Sequence, residues 1–315
     1  MNSTMAINLL SINDLSDQQV THLLEMGDDY RQAAVEGNPS PGERPLKGKS
    51  VALLFEKPSL RTKVSFDLAV YELGGHPLYL GQDEVGLDTR EPAEDVAQVL
   101  DQWVSAVVAR VFRHGTLERL AQNTSVPVIN ALSDLEHPCQ ALADLLTIRQ
   151  HLGTLAGVTV AVVGDSNNCA LSLALGCAAT GAQFRIASPK GFGFAPETLT
   201  AIDERYRDSG LGVQVLATPE EAVADADVVY TDVWTSMGQE GEATARRDAF
   251  TGFQVDQELL RQAKTRAILM HPMPAHYGEE VPPGMLHHPQ SVAFVQAGNR
   301  LHAQKAVLRL LIAGE

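Results

Sequence analysis

Short apolar runs alternate along most of this chain with stretches of helical periodicity, the pattern left by parallel strands joined through crossover helices. Residues 51–55, Val-Ala-Leu-Leu-Phe, are apolar without a break, which predicts a strand buried on both faces. After a loop at 56–60, helical periodicity runs from 61 to 73 and stops at Gly74-Gly75, residues suited to closing a helix. Further strands are predicted at 78–80, 106–111 and 126–130, with helices at 96–104 and 117–122 between them. A second series opens with a strand at 158–163 and a nearly all-apolar helix at 169–179, closed by Gly181. It continues through strands at 183–187, 214–216, 227–230 and 267–270, and a helix at 300–312 ends the chain. The expected architecture is α/β: two doubly wound parallel-sheet domains, 1–150 and 151–315, joined near 152–157. The terminal helix is expected to pack back on the first domain.

In open sheets of this kind ligands bind beyond the carboxyl ends of the strands, so residues just after each strand are the first candidates for chemistry. Ser59-Leu60-Arg61-Thr62 follows a strand and opens a helix, where backbone N–H groups, two hydroxyls and a guanidinium can meet one anion. The same four residues serve equally as an ordinary helix cap beside a solvated Arg. Arg110 and Arg113 bracket another strand end; Arg110, the more buried position, needs an anion there, whether a ligand or a structural partner. His137 and Gln140 lie three apart behind Pro138 at a helix start, so both face one small ligand. Taken singly, His137 is as well explained as a structural histidine, and Cys139 as a small buried filler.

Charge and composition narrow the function classes. The 315 residues are 44% hydrophobic and 20% charged, ordinary globular usage. Twenty-four Lys plus Arg against thirty-nine Asp plus Glu leave a net charge of −15, which repels nucleic acid and anionic membranes, so neither is an expected partner. An anionic ligand then requires a local cationic pocket. The N-terminal residues do not resemble a secretory signal, and no apolar stretch is long enough to span a bilayer, so a cytoplasmic location is expected. Cys139, Cys169 and Cys177 have neither metal-finger nor disulfide-scaffold spacing and are expected as free thiols. His287-His288, and His271 with His276, lack the flanking ligands of a metal site and are expected as surface or capping residues; no metal is expected. Gly164-Asp165-Ser166-Asn167-Asn168 follows a strand but lacks the dinucleotide glycine pattern, and Asp165 would repel a pyrophosphate, so no nicotinamide or other organic cofactor is expected.

Phe55-Glu56-Lys57-Pro58-Ser59-Leu60-Arg61-Thr62, then an Arg at a strand end, then His-Pro-x-Gln, resembles the carbamoyl-phosphate half of the aspartate and ornithine carbamoyltransferases in order and spacing. The resemblance implies phosphate contacts from Ser59, Leu60, Arg61, Thr62 and Arg110, carbamoyl contacts from His137 and Gln140, and a further contact from Gln82. Thr62, Arg110 and His137 become the candidates for catalytic work on the carbonyl oxygen. Farther on, Asp232-Val233-Trp234-Thr235-Ser236-Met237-Gly238-Gln239-Glu240 looks like the ornithine-binding loop of the ornithine-specific members, implying ornithine contacts from Asn168, Asp232, Ser236 and Met237. Asp232 suits an α-ammonium, whereas a second acceptor carboxylate would call for cations. His271-Pro272-Met273-Pro274 and Asn299-Arg300-Leu301-His302-Ala303 extend the resemblance to the C-terminus, adding Pro272, Met273 and Arg300 to the carbamoyl-phosphate set.

Three departures stand out. The ornithine-specific members commonly carry His-Cys-Leu-Pro where this chain has His-Pro-Met-Pro; the aspartate-specific members resemble His-Pro-Leu-Pro there. Leu60 replaces a frequent Thr, and Gly298 a frequent Glu. The resemblance implies carbamoyl transfer to the δ-amine of ornithine and a homotrimer. Transfer to another amine, such as aspartate or an N-acylated ornithine, and a non-catalytic carbamoyl-phosphate-binding relative are the alternatives.

Overall fold

A computed structural model describes residues 8–38, 44–207, 209–236 and 238–314. The chain folds as two units, Met1–Leu146 with Asn299–Glu315, and Thr147–Gly298. The first helix, α1 (Asp17–Val35), is one the hydrophobic pattern had not singled out. Ser16 and Gln19 form a reciprocal capping box at its start, and Val20, Leu23, Leu24 and Tyr30 are among the residues it buries. The run at 51–55 lies in β1 (Ser50–Phe55), followed by α2 (Leu60–Glu72), β2 (His76–Gly81), a single turn α3 (Gln82–Val85) and α4 (Ala93–Asp101). Then come β3 (Ala106–Arg110), α5 (His114–Gln122), β4 (Val128–Leu132) and the start of α6 (Pro138–Leu152).

The four strands are parallel in the order β2-β1-β3-β4. Ala52 and Leu54 of β1 pack with Val107, Leu100, Leu117 and Leu120 in one buried cluster, each large side chain contributing about 1.5–3 kcal/mol of burial. β1 and β3 are neighbours whose connections run to opposite sides, so the switch point of this sheet lies at their carboxyl ends. There the β3–β4 register shifts between Ala109 and Arg110, an irregularity of the kind that re-aims a side chain at a strand end.

The second unit runs through β5 (Thr159–Val163), α7 (Asn168–Thr180), β6 (Gln183–Ala187), α8 (Pro196–Tyr206), β7 (Gln214–Leu216), α9 (Pro219–Val223) and β8 (Val228–Tyr230). It continues with α10 (Ala243–Ala249), α11 (Gln257–Leu260), β9 (Ile268–Met270) and the start of α12 (Ala293–Leu308). Its sheet is parallel in the order β7-β6-β5-β8-β9, which puts the switch point between β5 and β8. α7 is buried over nearly its whole length; Asn167 caps its start, and Gly181 at φ 71 closes its end in the left-handed region.

Several boundaries differ from the sequence expectation, each for a local reason. The strand expected from 126 starts at Val128, because Pro127 has no N–H for the ladder. The helix expected over 96–104 spans Ala93–Asp101: Asp88 Oδ1 accepts from Ala93 N at 3.3 Å, while Trp103 and Val104 both turn back to the Leu100 carbonyl. α12 begins seven residues before the expected 300 and ends in a wider turn over Arg309–Ala313. Gly298, which weakened the pattern, sits inside it with open space where a side chain would be. No described helix is long and apolar enough to cross a membrane.

Candidate functional site

In the first unit, the residues expected on sequence grounds converge around α2's first turn. Ser59 caps the helix, its Oγ accepting from Thr62 N at 3.3 Å. Leu60 is exposed and Arg61 half-buried, while Thr62 is buried. Arg300, 3% exposed on α12, links the expected residues: Nη2 donates to Thr62 Oγ1 at 2.7 Å, and Nη1 to Gln140 Oε1 at 2.6 Å and toward His137 Nε2 at 3.4 Å. Gln140 in turn donates from Nε2 to Asp144 Oδ1 at 2.8 Å, which orients the amide. Thus Thr62, His137, Gln140 and Arg300 form one hydrogen-bonded set from three segments far apart in sequence.

Two more cations face this set. Arg110, buried at the end of β3, and Lys57, buried in the loop after β1, lie close enough that Arg110 depresses Lys57 and both depress His137. Burial first, then Arg300, Arg110 and Lys57, hold the His137 imidazole well below its usual range, so it is neutral near pH 7. An Nε2 that accepts from Arg300 leaves the proton on Nδ1. Burial and Arg110 bring Lys57 down to about 8, against the opposing pull of Asp134 and Glu56; its ammonium lies over the Phe112 ring at 4.9 Å. Glu56 reaches over the strand end to accept from Phe112 N at 2.6 Å. Lys57 lies inside the motif that carries the resemblance, but the sequence alone directed attention to the residues after it. A cavity of about 710 Å³ opens beside this loop cluster, lined by Arg113, His114, Gly115, Asp134 and Leu135. Gln82 is exposed on α3, with no hydrogen bond to the set among the described residues.

In the second unit, the loops after β5 and β8 meet at the switch point. Asp232, half-buried, accepts from Asn167 Nδ2 at 2.8 Å through Oδ2 and from Val233 N at 2.8 Å through Oδ1. Asn168, the expected contact, opens α7 next to Asn167 and accepts from Cys169 N at 2.9 Å. Asn167 itself stood out in the sequence only as part of a failed dinucleotide motif. Ser236 is half-buried, its N–H donating to Gln239 Oε1 at 3.1 Å, and Met237 lies outside the described residues. Trp234 is buried and stacks on Phe250 with centroids 5.6 Å apart, which anchors the loop. Arg246, on α10, is bonded to Asp165 and to the Trp234 carbonyl, and nothing in the polar pattern of that helix signals it.

The segment 271–276 is wired from beneath. His271, expected as a surface or capping residue, is fully buried and caps a backbone N–H: Nδ1 accepts from Met273 N at 2.9 Å, and Nε2, 3.1 Å from Glu280 Oε1, keeps the proton. These bonds hold Met273 at φ 58, a left-handed conformation that costs a non-glycine residue about 1–2 kcal/mol. His276, Glu279 and Glu280 bring ligand-type atoms within 4.8 Å of one another. Glu280 Oε1 already accepts from His271 and His276 N, and Glu279 Oε1 from Arg247. All three cysteines are buried and free; burial pushes the Cys139 thiol up to about 12.

Comparison with known families also divides the chain in two, with the C-terminal segment counted in the second part. Residues 8–150 match the family model described as aspartate/ornithine carbamoyltransferase, carbamoyl-P binding domain, and residues 156–311 match the companion Asp/Orn binding domain. An ornithine carbamoyltransferase of Archaeoglobus fulgidus is 45% identical over 308 residues, covering 98% of both chains. A Pyrococcus furiosus protein named anabolic ornithine carbamoyltransferase is 45% identical over 307 residues, covering 98% of this chain and 96% of its own. The solved ornithine carbamoyltransferase of Pyrococcus furiosus superposes with a TM-score of 0.94 at 44% identity, with full coverage of both chains.

Proposed function

This chain belongs to the aspartate/ornithine carbamoyltransferase family, and from that premise we infer that it transfers the carbamoyl group of carbamoyl phosphate to the δ-amine of L-ornithine, giving L-citrulline and phosphate. The observation that carries the reading is the pairing of two unlike switch points. The first collects Lys57, Arg110 and Arg300 around a helix N-terminus in a protein of net charge −15, and the second presents the Asp232 carboxylate. A doubly charged acyl phosphate suits the first, and an ammonium suits the second.

In this mechanism the N-terminal turn of α2, with Ser59, Leu60, Arg61, Thr62 and Arg110, takes the phosphate. Thr62, Arg110 and neutral His137, through Nδ1–H, meet the carbonyl oxygen where negative charge develops. Gln140, oriented by Arg300 and Asp144, accepts from the carbamoyl NH₂ group, and the Pro272 and Met273 carbonyls are further acceptors for it. Asp232 holds the α-ammonium of ornithine, and Asn168 and Ser236 complete its site among the described residues. The δ-amine, with a free-solution pKa near the lysine value of about 10.4, attacks only once unprotonated. Its lone pair forms the new C–N bond, the C–O bond to phosphate breaks, and the departing phosphate takes the proton. Positioning and charge stabilisation are the protein's whole contribution, because the leaving group is already good.

The unit around β1–β4 is thus the carbamoyl-phosphate domain and the unit around β5–β9 the ornithine domain. The working assembly is a homotrimer in the cytoplasm, in the biosynthetic direction named for its Pyrococcus furiosus relative. Leu60, Val64, Leu68 and Tyr71 are all exposed on one face of α2, an apolar stripe that suits burial against another copy. The test sets ornithine, aspartate and N-acetylornithine side by side in a carbamoyl-transfer assay, with the mass in solution measured by light scattering. Product from ornithine alone supports the reading. Product from aspartate instead would move the chain to the other acceptor branch, and none from any acceptor, with carbamoyl phosphate still bound, would make it a non-catalytic binder.

A further inference from the structure

The two loops at the β5–β8 switch point are tied by two side-chain bridges, only one of which involves a residue assigned to the acceptor. The first is Asn167 Nδ2 to Asp232 Oδ2, 2.8 Å. The second is Arg246. From α10 its Nη1 donates to Asp165 Oδ2 at 2.7 Å and to the Trp234 carbonyl at 2.9 Å, and its Nε donates to Glu242 Oε2 at 3.1 Å. Arg246 is 7% exposed, and its guanidinium lies over Phe192 at 4.9 Å, among the aromatic rings of Phe250 and Trp234. Asp165 is two residues before Asn167, and Trp234 two residues after Asp232. The bridges therefore close a ring through both loops.

We propose that Arg246 is a positioning residue for the amino-acid acceptor: by bracing Asp165 against the Trp234 carbonyl it fixes where the Asp232 carboxylate stands, and by pairing with Asp165 it leaves Asp232 to meet the incoming ammonium. This rests on the reading of Asp232 as the α-ammonium partner. A buried guanidinium among aromatic rings is an expensive way to fill space, since an apolar side chain of similar size packs there without a desolvation penalty. Two of its partners belong to the switch-point loops, and the third is on the segment just before α10. The arrangement also settles a conflict between like charges. Burial raises Asp165 and the nearby Asp232 charge raises it further, while Arg246 opposes both effects. With Asp165 so engaged, a cationic acceptor completes the balance and a dicarboxylic acceptor worsens it, which makes Arg246 and Asp165 contributors to acceptor choice without touching the acceptor.

The experiment compares the natural chain with Arg246→Met, Arg246→Lys, Asp165→Asn and the Met/Asn double variant. Ornithine saturation is read from citrulline formation, and carbamoyl-phosphate affinity from calorimetry without ornithine. Arg246→Met should raise the ornithine KM about tenfold or more while the carbamoyl-phosphate Kd stays within about twofold. Arg246→Lys, which keeps the charge but loses the planar fork, should recover part of that loss. Asp165→Asn should raise the KM less, and the double variant no more than Arg246→Met alone, because the two act as one unit. An unchanged ornithine KM in both Arg246→Met and Asp165→Asn, or equal losses for both substrates, would overturn the proposal. If Arg246→Met does not fold, the nearly isosteric Asp165→Asn carries the same decision. A natural chain that makes no citrulline overturns the reading beneath this one, and it differs from failure of Arg246 alone, in which the natural chain turns over normally.

Discussion

Around the carboxyl ends of β1 and β3 the chain gathers Lys57, Arg61, Arg110 and Arg300; around those of β5 and β8 it gathers Asp165 and Asp232 with Arg246. Both are switch points of parallel sheets, built the same way from a strand, a loop and a helix capped by Ser59 in one case and Asn167 in the other. Topology therefore sets where a ligand binds, and the residues in the loops set its charge. The cations of the first site crowd one another, which holds Lys57 and His137 below their usual ranges and stores a repulsion that a phosphate dianion relieves. In the second site the repulsion is between carboxylates, and Arg246 relieves part of it.

The hardest blow to this contrast is Arg61→Ala. A charge-assisted hydrogen bond to phosphate contributes about 1.5–3 kcal/mol, or about 10- to 150-fold in carbamoyl-phosphate affinity, before any further loss in the transition state. Turnover should fall by about 10³-fold or more in total, with circular dichroism and melting temperature near those of the natural chain, since Arg61 is only half-buried in the first turn of α2. Calorimetry that finds carbamoyl phosphate bound as tightly as before would show that the cationic site has been misassigned.

Asp232→Asn probes the other side, and its effect should be smaller. Loss of the carboxylate charge should raise the ornithine KM about tenfold, worth about 1.4 kcal/mol, and leave carbamoyl-phosphate affinity unchanged. Equal losses for both substrates would mean that Asp232 holds the loop through Asn167 and Val233 rather than the amino acid.

How much of each region was legible in the sequence follows the same contrast. The first site was largely readable because its parts are contiguous or sit directly after strands: Ser59 to Thr62 open α2, Arg110 ends β3, and His137 and Gln140 begin α6. Lys57 was on view in the same motif, but its burial at a strand end, with its ammonium over the Phe112 ring, exists only in the folded chain. In the second site Asp232 was readable and Arg246 was not, because a buried ion pair between α10 and the β5 loop exists only in the folded chain. Of the surface or capping roles expected for His271, the surface one fails for the same reason: its partner Glu280 lies nine residues on and is also fully buried, while Nδ1 does cap Met273 N. Among the elements, α1 was missed although Ser16 and Gln19 make a readable capping box, and Pro127 and Gly298 displaced two boundaries by known local effects.

A pH series sharpens the cationic half further. Lys57, brought down to about 8, should lose its charge as the pH passes that value, and carbamoyl-phosphate affinity should fall by up to about fivefold between pH 8 and 9. Lys57→Met should bind more weakly at pH 7 and show a flatter profile. Fold stability moves the opposite way: the unfolded chain carries this lysine at its ordinary value of 10.5, so between about 8 and 10.5 it binds more protons than the folded one. The burial penalty of the ammonium is therefore relieved as the pH rises through that window. If the two profiles of binding affinity coincide, Lys57 takes no part in holding the phosphate.

The smallest effect is expected where this chain departs from its ornithine-specific relatives. A cysteine in the place of Pro272 would set a thiol near the attacking amine, where a thiolate favours the ammonium form and adds a second partner to the amino acid. Here Pro272 offers only a carbonyl, on a segment held by His271 and Glu280, so under the proposed mechanism alignment of ornithine would rest on Asp232 and its neighbours. Because the barrier is lowered chiefly by charge stabilisation and proximity, the natural chain should be fully active, and Pro272→Cys should change the ornithine KM by about threefold or less. The variant should, however, gain a pH dependence in ornithine saturation and become sensitive to iodoacetamide, with ornithine protecting it. The natural chain should resist the reagent, since Cys139, Cys169 and Cys177 are all buried and burial pushes the Cys139 thiol up to about 12. Rapid inactivation of the natural chain by iodoacetamide would show that one of these thiols opens to solvent at the site. Citrulline formation restored only in Pro272→Cys would show that the thiol is indispensable and that the cationic half binds carbamoyl phosphate without using it.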